Sequence, residues 1–293
     1  MVNGPTGAKL MESEPFEIVT TTTGATSIRD NRVNEIMHNP VGPWAEANAL
    51  YVDQPKLRDR LLGKDQPPLV IFDVGLGAGS NAIAAMTVAL EVAERPLHLI
   101  SFENNLALLE FALLHAAVFD HMKGFTQAIE CLLARHLWKS PCGLVTWELR
   151  AEDFLTAIVK ETHTADLVFF DPYSPNVNSE IWTLSCFENL RARCHGPEAD
   201  CHTSLFTYSR ATPVRAALLL AGFYAGQGHS TGLKPETTQA STQLTSLEKP
   251  LDARWYLRWQ RSHTQLPFGS TEAMRSGFHE RMKDHPQFCS PNT

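Results

Sequence analysis

From Gln66 onward the chain predicts an α/β fold: a mostly parallel seven-stranded sheet with helices on both faces and an N-terminal extension. Three observations predict it. Short apolar runs alternate with segments whose apolar residues recur at helical spacing, the pattern of repeated βα units. A glycine turn, Asp73-Val74-Gly75-Leu76-Gly77-Ala78-Gly79-Ser80-Asn81, joins the first run to a helical pattern. The fourth run, Leu167 to Phe170, ends in Asp171-Pro172-Tyr173-Ser174-Pro175-Asn176-Val177-Asn178, and ligands of open α/β sheets bind beyond such strand ends.

Taken in order, the strands expected are Leu69 to Asp73, Leu97 to Phe102, Gly143 to Leu149, Leu167 to Phe170 and Thr203 to Thr207, with weaker signals at Phe223 to Ala225 and Glu236 to Gln243. Helical spacing is carried by Asn81 to Ala93, Leu106 to Phe119, Glu152 to Lys160, Ile181 to Arg193 and Pro213 to Leu220, where Pro213 suits a first turn. Phe125 to Trp138 reads as an extra helix between the second and third strands. Residues 1–65 form an N-terminal arm and pre-domain segment with a helix over Gly42 to Leu62, residues 66–265 the main domain, and 266–293 a polar tail expected to fray. Trp255, Leu257 and Trp259 recur at period two, which predicts a late or edge strand over Arg254 to Arg261.

Composition narrows the classes. With 293 residues, 43% of them apolar and 19% charged, the chain can bury a sizeable core. It has no apolar stretch long enough to span a bilayer and no basic start leading into an apolar segment, so a cytoplasmic location is expected. Six scattered cysteines without a CxxC pair predict reduced thiols, and the Cys194-His195, Cys201-His202 spacing matches no common zinc pattern, so no metal is expected. A net charge of −7 argues against tight autonomous binding to nucleic acid, though it allows a local basic face. Oligomeric state has no signature in the sequence.

The glycine turn has the chemistry of a nucleotide cradle. Glycines let the backbone approach a ligand without Cβ clashes, and the helix start offers N–H donors. The second strand ends in Phe102-Glu103, and a carboxylate there can accept both hydroxyls of a ribose. Dinucleotides and S-adenosyl-L-methionine both fit that much. GxGxG after an Asp-ended strand is the usual form in class I methyltransferases, and Asp153 after the third strand sits where that Rossmann-like fold contacts adenine. Capping of the following helix by Glu152 and Asp153 is the plainer alternative.

The string Asp171-Pro172-Tyr173-Ser174-Pro175-Asn176-x-Asn178-x-x-Ile181-Trp182-Thr183, with Phe72 to Asn81, Leu97 to Glu103, Glu35 to Asn39, Gly42-Pro43-Trp44, Glu46 to Val52, and the downstream Ala221-Gly222-Phe223 and Gly232 to Thr238, resembles the methyltransferase domain of the MnmC family and its stand-alone relatives. Members methylate the aminomethyl group on the wobble uridine of certain tRNAs. The resemblance spans roughly residues 16 to 243, and no second dinucleotide motif accompanies it. It implies a class I methyltransferase with S-adenosyl-L-methionine held by Asp73, Gly75, Gly77, Gly79, Phe102, Glu103 and Asp153, catalysis by Asp171 and Tyr173, and tRNA as partner. Pro172, Pro175, Asn178 and Lys234 are the expected substrate contacts.

Methyl transfer to an amine needs a neutral nitrogen lone pair held in line, so the expected roles are alignment and a destination for the proton. Asp171 and a main-chain carbonyl near Pro172 can hold the amine while Tyr173 packs against a planar group; Asn178 and Trp182 read as loop pins. Arg210, Arg215 and Lys234 are candidate phosphate contacts, His38 can approach the site, and Ser209 belongs to no Ser-His-Asp arrangement. A small-molecule or protein amine as acceptor, a scaffold without turnover, and a dinucleotide oxidoreductase remain the competing readings.

Overall fold

Leu69–Val74 (β4), the first strand of the main sheet, is apolar on both faces because it lies at the sheet's centre, flanked by Leu97–Phe102 (β5) and Leu167–Phe170 (β8) in parallel register. The computed structural model describes residues 14–37, 41–196, 199–231 and 235–289. Val145–Arg150 (β7) continues the parallel sheet beyond β5, and Ser204–Thr207 (β9) continues it beyond β8. Two antiparallel strands, Thr237–Ser241 (β11) and Tyr224–Gly228 (β10), close the β9 side. With Leu137–Lys139 (β6) beyond β7, the strand order is β10-β11-β9-β8-β4-β5-β7-β6, so the chain reverses direction of travel between β4 and β8, where α/β sheets bind ligands.

The sheet has eight strands among the described residues, one more than expected. The helix predicted for Phe125 to Trp138 ends at Arg135; His136 adopts a left-handed conformation (φ 56°) and turns the chain into Leu137–Lys139 (β6), which pairs antiparallel with β7. Helices Ser80–Val92 (α3), Ala107–Leu114 (α4) and Thr126–Arg135 (α5) cover one face, and Phe154–Lys160 (α6), Leu184–Arg191 (α7) and Thr212–Leu220 (α8) the other, giving two apolar clusters.

The N-terminal segment is not an arm followed by one helix. Phe16–Thr20 (β1), Thr26–Asp30 (β2) and Glu35–Ile36 (β3) form an antiparallel sheet. Pro43–Ala47 (α1) runs into a π-helical segment, Asn48–Asp53, and Lys56 (φ 53°) breaks the chain before Leu57–Arg60 (α2). The π segment drives Tyr51 inward against Phe169, with ring centroids 4.9 Å apart, so this region packs directly on the main sheet.

At the other end, Ala253–Gln260 (α9) is a helix, not the edge strand expected. Asp252 accepts from the Trp255 backbone N–H at 2.9 Å, capping a turn in which Trp255 and Trp259 are one helical turn apart and both buried, while Leu257 is 50% exposed. Tryptophans four residues apart share a helix face but also satisfy period two, which is why the sequence misleads here. The described part of the polar tail, residues 266–289, is also built of helices: Arg275–Lys283 (α10) buries Phe278 and Met282, and Gln287 on Pro286–Cys289 (α11) bonds Ala225 N–H, Ala225 O and Leu251 O. Those bonds cover the β10 edge. No helix among the described residues is long and apolar enough to cross a membrane, and the six cysteines are unpaired.

Candidate active site

The carboxyl ends of β4, β5 and β8 open into a cleft of about 500 Å³. Gly75, Gly77, Phe102, Glu103, Asp153, Asp171, Pro172, Tyr173 and Asn178 line it, so strand ends far apart in sequence converge there. Asp73, Gly79 and Pro175 lie outside its lining, and Lys234 and His38 fall outside the described residues.

Gly75 is required by geometry. Its φ is +84°, and a Cβ would stand 2.7 Å from Pro172 Cα and 2.8 Å from the Asp171 carbonyl oxygen, so the glycine turn and the Asp-Pro loop touch backbone to backbone. Asp171 is fixed from two sides: its N–H donates to Val74 O at 2.9 Å, and its Oδ2 accepts from Asn81 Nδ2 at 2.7 Å. Asn81, on the first turn of α3, is almost wholly buried and its Oδ1 has no hydrogen-bond partner.

At the opposite end, Glu103 accepts from Gly77 N–H at 3.3 Å and Asn105 N–H at 3.0 Å; burial nonetheless lifts its pKa above the ordinary glutamate value. Asp153 caps α6 by accepting from Leu155 N–H at 2.9 Å and also lines the cleft. Phe102 is held edge-on between Phe72 and Phe154.

Asp73 is wholly buried behind this surface. Ser101 Oγ donates to its Oδ2 at 2.7 Å and Trp147 Nε1 donates to the same Ser101 oxygen at 2.9 Å, while Oδ1 has no partner. Burial pushes its carboxyl up to about 7, against the Ser101 bond, with the charges of Asp171 and Glu103 adding to the rise. It supports the turn from beneath and does not face the cleft.

The loop after Asp171 is pinned throughout. Tyr173 donates from its hydroxyl to Asp30 Oδ2 at 2.8 Å, and its carbonyl accepts from the buried Trp182 Nε1 at 2.9 Å. Ser174 Oγ donates to Glu35 Oε1 at 2.5 Å. The Pro172 carbonyl accepts from Tyr208 at 3.0 Å. Burial, and then the bond to Asp30, hold the Tyr173 phenol above its ordinary value, so it stays neutral. Burial works to raise Asp30 as well, but hydrogen bonds from Arg32 and Tyr173 outweigh it and hold that carboxyl low.

Sequence reasoning missed the roof of the cleft. Arg32, Glu35, Ile36, Met37 and Glu46 from the N-terminal segment line it, together with Asn81 and Tyr208. Glu46, Tyr51 and Asn81 stand inside the quoted resemblance strings, which is the signal that could have found them; Asp30 and Arg32 carried none. Tyr51 and Tyr208 are both held well above ordinary phenol values, by burial first and the Asp171 charge next. The Asp171 end of the cleft thus gathers Glu35, Glu46 and Asp171, with two neutral phenols beside them.

Two other candidates lie elsewhere. Arg215 is buried and bonds Thr238, Thr237 and Glu236, so it buttresses β11 and is not a surface phosphate contact. The Cys194 to His202 stretch brings His195 and Cys201 to Asp166, with donor atoms within 4.8 Å, at the start of β8 and opposite the cleft. Asp166 there already accepts from Val70 N–H and His195 and faces Arg95.

A family model described as S-adenosyl-L-methionine-dependent methyltransferase matches residues 120–243. The chain is 29% identical over 220 residues to the tRNA 5-methylaminomethyl-2-thiouridine biosynthesis bifunctional protein MnmC of Cupriavidus metallidurans, covering 71% of this chain and 31% of that protein. The protein of the same name from Aeromonas hydrophila is 28% identical over 233 residues, 73% of this chain and 33% of that protein. The chain therefore spans about a third of the length of these curated relatives. The crystal structure of MnmC2 from Aquifex aeolicus superposes with a TM-score of 0.69 at 26% identity, covering 94% of this chain and 85% of that one.

Proposed function

We propose that the chain, an S-adenosylmethionine-dependent methyltransferase of class I fold similar to the methyltransferase domain of MnmC, methylates the aminomethyl nitrogen of 5-aminomethyl-2-thiouridine at the wobble position of tRNA, in the cytoplasm. The observation that carries the reading is Asp171, fixed by Asn81 at the end of β8 and reached across the cleft from Glu103.

The cleft's own features fit the cofactor. Its volume suits a nucleoside-sized ligand. Gly75 lets the Asp-Pro loop close directly on the glycine turn at the cleft's edge, and Glu103 presents a carboxylate beside the Gly77 N–H. Gly75, Gly77, Phe102, Glu103 and Asp153 would hold it, with Asp73 and Gly79 setting the turn beneath. When bound, S-adenosylmethionine supplies an electrophilic methyl group. The described residues of 66–265 supply the catalytic body, those of 1–65 the roof, and those of 266–293 the buttress of the sheet edge.

The acceptor amine arrives mostly protonated at neutral pH. The carboxylates of Glu35, Glu46 and Asp171 favour that cation, and Asp171 takes its proton, leaving a neutral lone pair. Asn81 keeps the carboxylate oriented by its hydrogen bond. Tyr173, Pro172 and Asn178 form the wall against which the uracil ring lies. Nucleoside analysis of hypomodified tRNA incubated with the protein and labelled cofactor tests the assignment. Label in 5-methylaminomethyl-2-thiouridine is expected; tRNA that stays unlabelled while another amine is methylated contradicts it.

A further inference from the structure

A chain of net charge −7 needs a local basic face to hold RNA, and the structure supplies one outside the cleft. On α9 and its C-cap, Arg254, Arg258 and Arg261 recur at i, i+4 and i+7, all exposed, on a face adjoining the one that buries Trp255 and Trp259. Among the described residues none of these three, nor the exposed Arg210 after β9, makes an ion pair, whereas Arg29, Arg32, Arg58, Arg150 and Arg281 all do. The neighbouring Asp252 carboxylate is committed to the helix cap.

The stripe is placed relative to the site. Phe268, on the segment following α9, bridges Thr183, which directly follows the Glu180–Trp182 turn, and Glu180 and Ile181 line the cleft. Arg210 and Arg258 both lie near enough to Arg215 for their charges to act on it, so loop and helix share one corner of the molecule. Beside the stripe, a cavity of about 460 Å³ is lined by Gln227, Asp252, Arg254 and Arg258.

We propose that Arg254, Arg258 and Arg261, with Arg210, form the surface that grips the phosphate backbone of the tRNA whose wobble base enters the cleft. This rests on the reading of tRNA as substrate. Seven residues of helix span roughly 10 Å, room for about three successive phosphates of one strand. Guanidinium groups without protein partners are free to pair with phosphate oxygens bidentately.

The test measures equilibrium binding of unmodified tRNA to the full chain across a salt series. It compares the wild type, Arg254→Glu/Arg258→Glu/Arg261→Glu, and the corresponding triple Lys variant. The triple Glu variant is expected to bind at least about tenfold more weakly, with a salt dependence shallower by about two to three contacts. The Lys variant is expected to keep the wild-type slope, and all three proteins are expected to bind S-adenosylmethionine alike. A triple Glu variant with wild-type affinity and slope overturns the surface while leaving the tRNA reading intact. Wild-type protein that binds no tRNA overturns both. Should the triple Glu variant lose cofactor binding through misfolding, the single Arg258→Gln variant decides: a slope shallower by about one supports the surface, an unchanged slope overturns it.

Discussion

Asp171 and Asn81 together make the reactive corner, and they separate in their expected phenotypes. Asp171→Ala is expected to slow methyl transfer by about 10²–10⁴-fold, the range of a lost general base, while leaving S-adenosylmethionine binding intact by titration. Asn81→Ala removes a hydrogen bond to a charged group and is expected to lower kcat roughly 10–100-fold. That bond favours the ionised carboxylate, so its loss raises the Asp171 pKa and moves the acidic limb of the rate profile to higher pH. A pH profile identical to wild type would falsify the positioning role. Asp171 was legible from the sequence because an acidic residue at an apolar strand's end has few structural reasons to be there. Its partner was not, since Asn81 reads as an ordinary helix residue until the fold brings it across the turn.

The glycine turn and helix α9 show how elements succeed or fail as readings. The turn was legible because only glycine permits both a positive φ and the backbone approach to Pro172. Gly75→Ala is therefore expected to destabilise the protein by about 2 kcal/mol or more and to weaken cofactor binding, measured by denaturant midpoint and titration. Helix α9 was not, because two tryptophans four residues apart fit strand and helix alike, and only the Asp252 cap and the exposure of Leu257 decide it. Trp259 is buried and donates to the Gln265 carbonyl at 2.9 Å, so Trp259→Ala is expected to cost about 3–5 kcal/mol. The short strands β1 to β3 escaped notice for another reason: they mix apolar with charged and hydroxyl residues and bury few of them, lacking the apolar run that marks a central strand.

Across the whole molecule, the parallel core was legible and its covers were not. Strands β4, β5, β8 and β9 announce themselves because both faces are buried, and β7 by its alternation of buried Val145, Trp147 and Leu149 with polar residues, while the roof, the sixth strand and the C-terminal helices depend on contacts distant in sequence. The buried Asp73 beneath the cleft gives the molecule a pH signature. Its folded pKa of about 7 lies above the usual 3.8, so the folded state binds the extra proton between those values. Its contribution is fully present below pH 3.8 and is lost as pH rises through 7. Thermal stability is expected to fall from about pH 4 to about pH 7 in the wild type and to fall much less in Asp73→Asn; equal slopes in the two proteins would rule out Asp73 as the source.

The measurement that reaches the central claim most directly is a crystal structure of the chain with S-adenosylhomocysteine bound. Ribose hydroxyls are expected on Glu103, adenine beside Asp153 and Phe154, and the sulfur turned toward Asp171. A ligand bound outside this cleft, or lying in it with the sulfur directed toward Asp153, would contradict that claim.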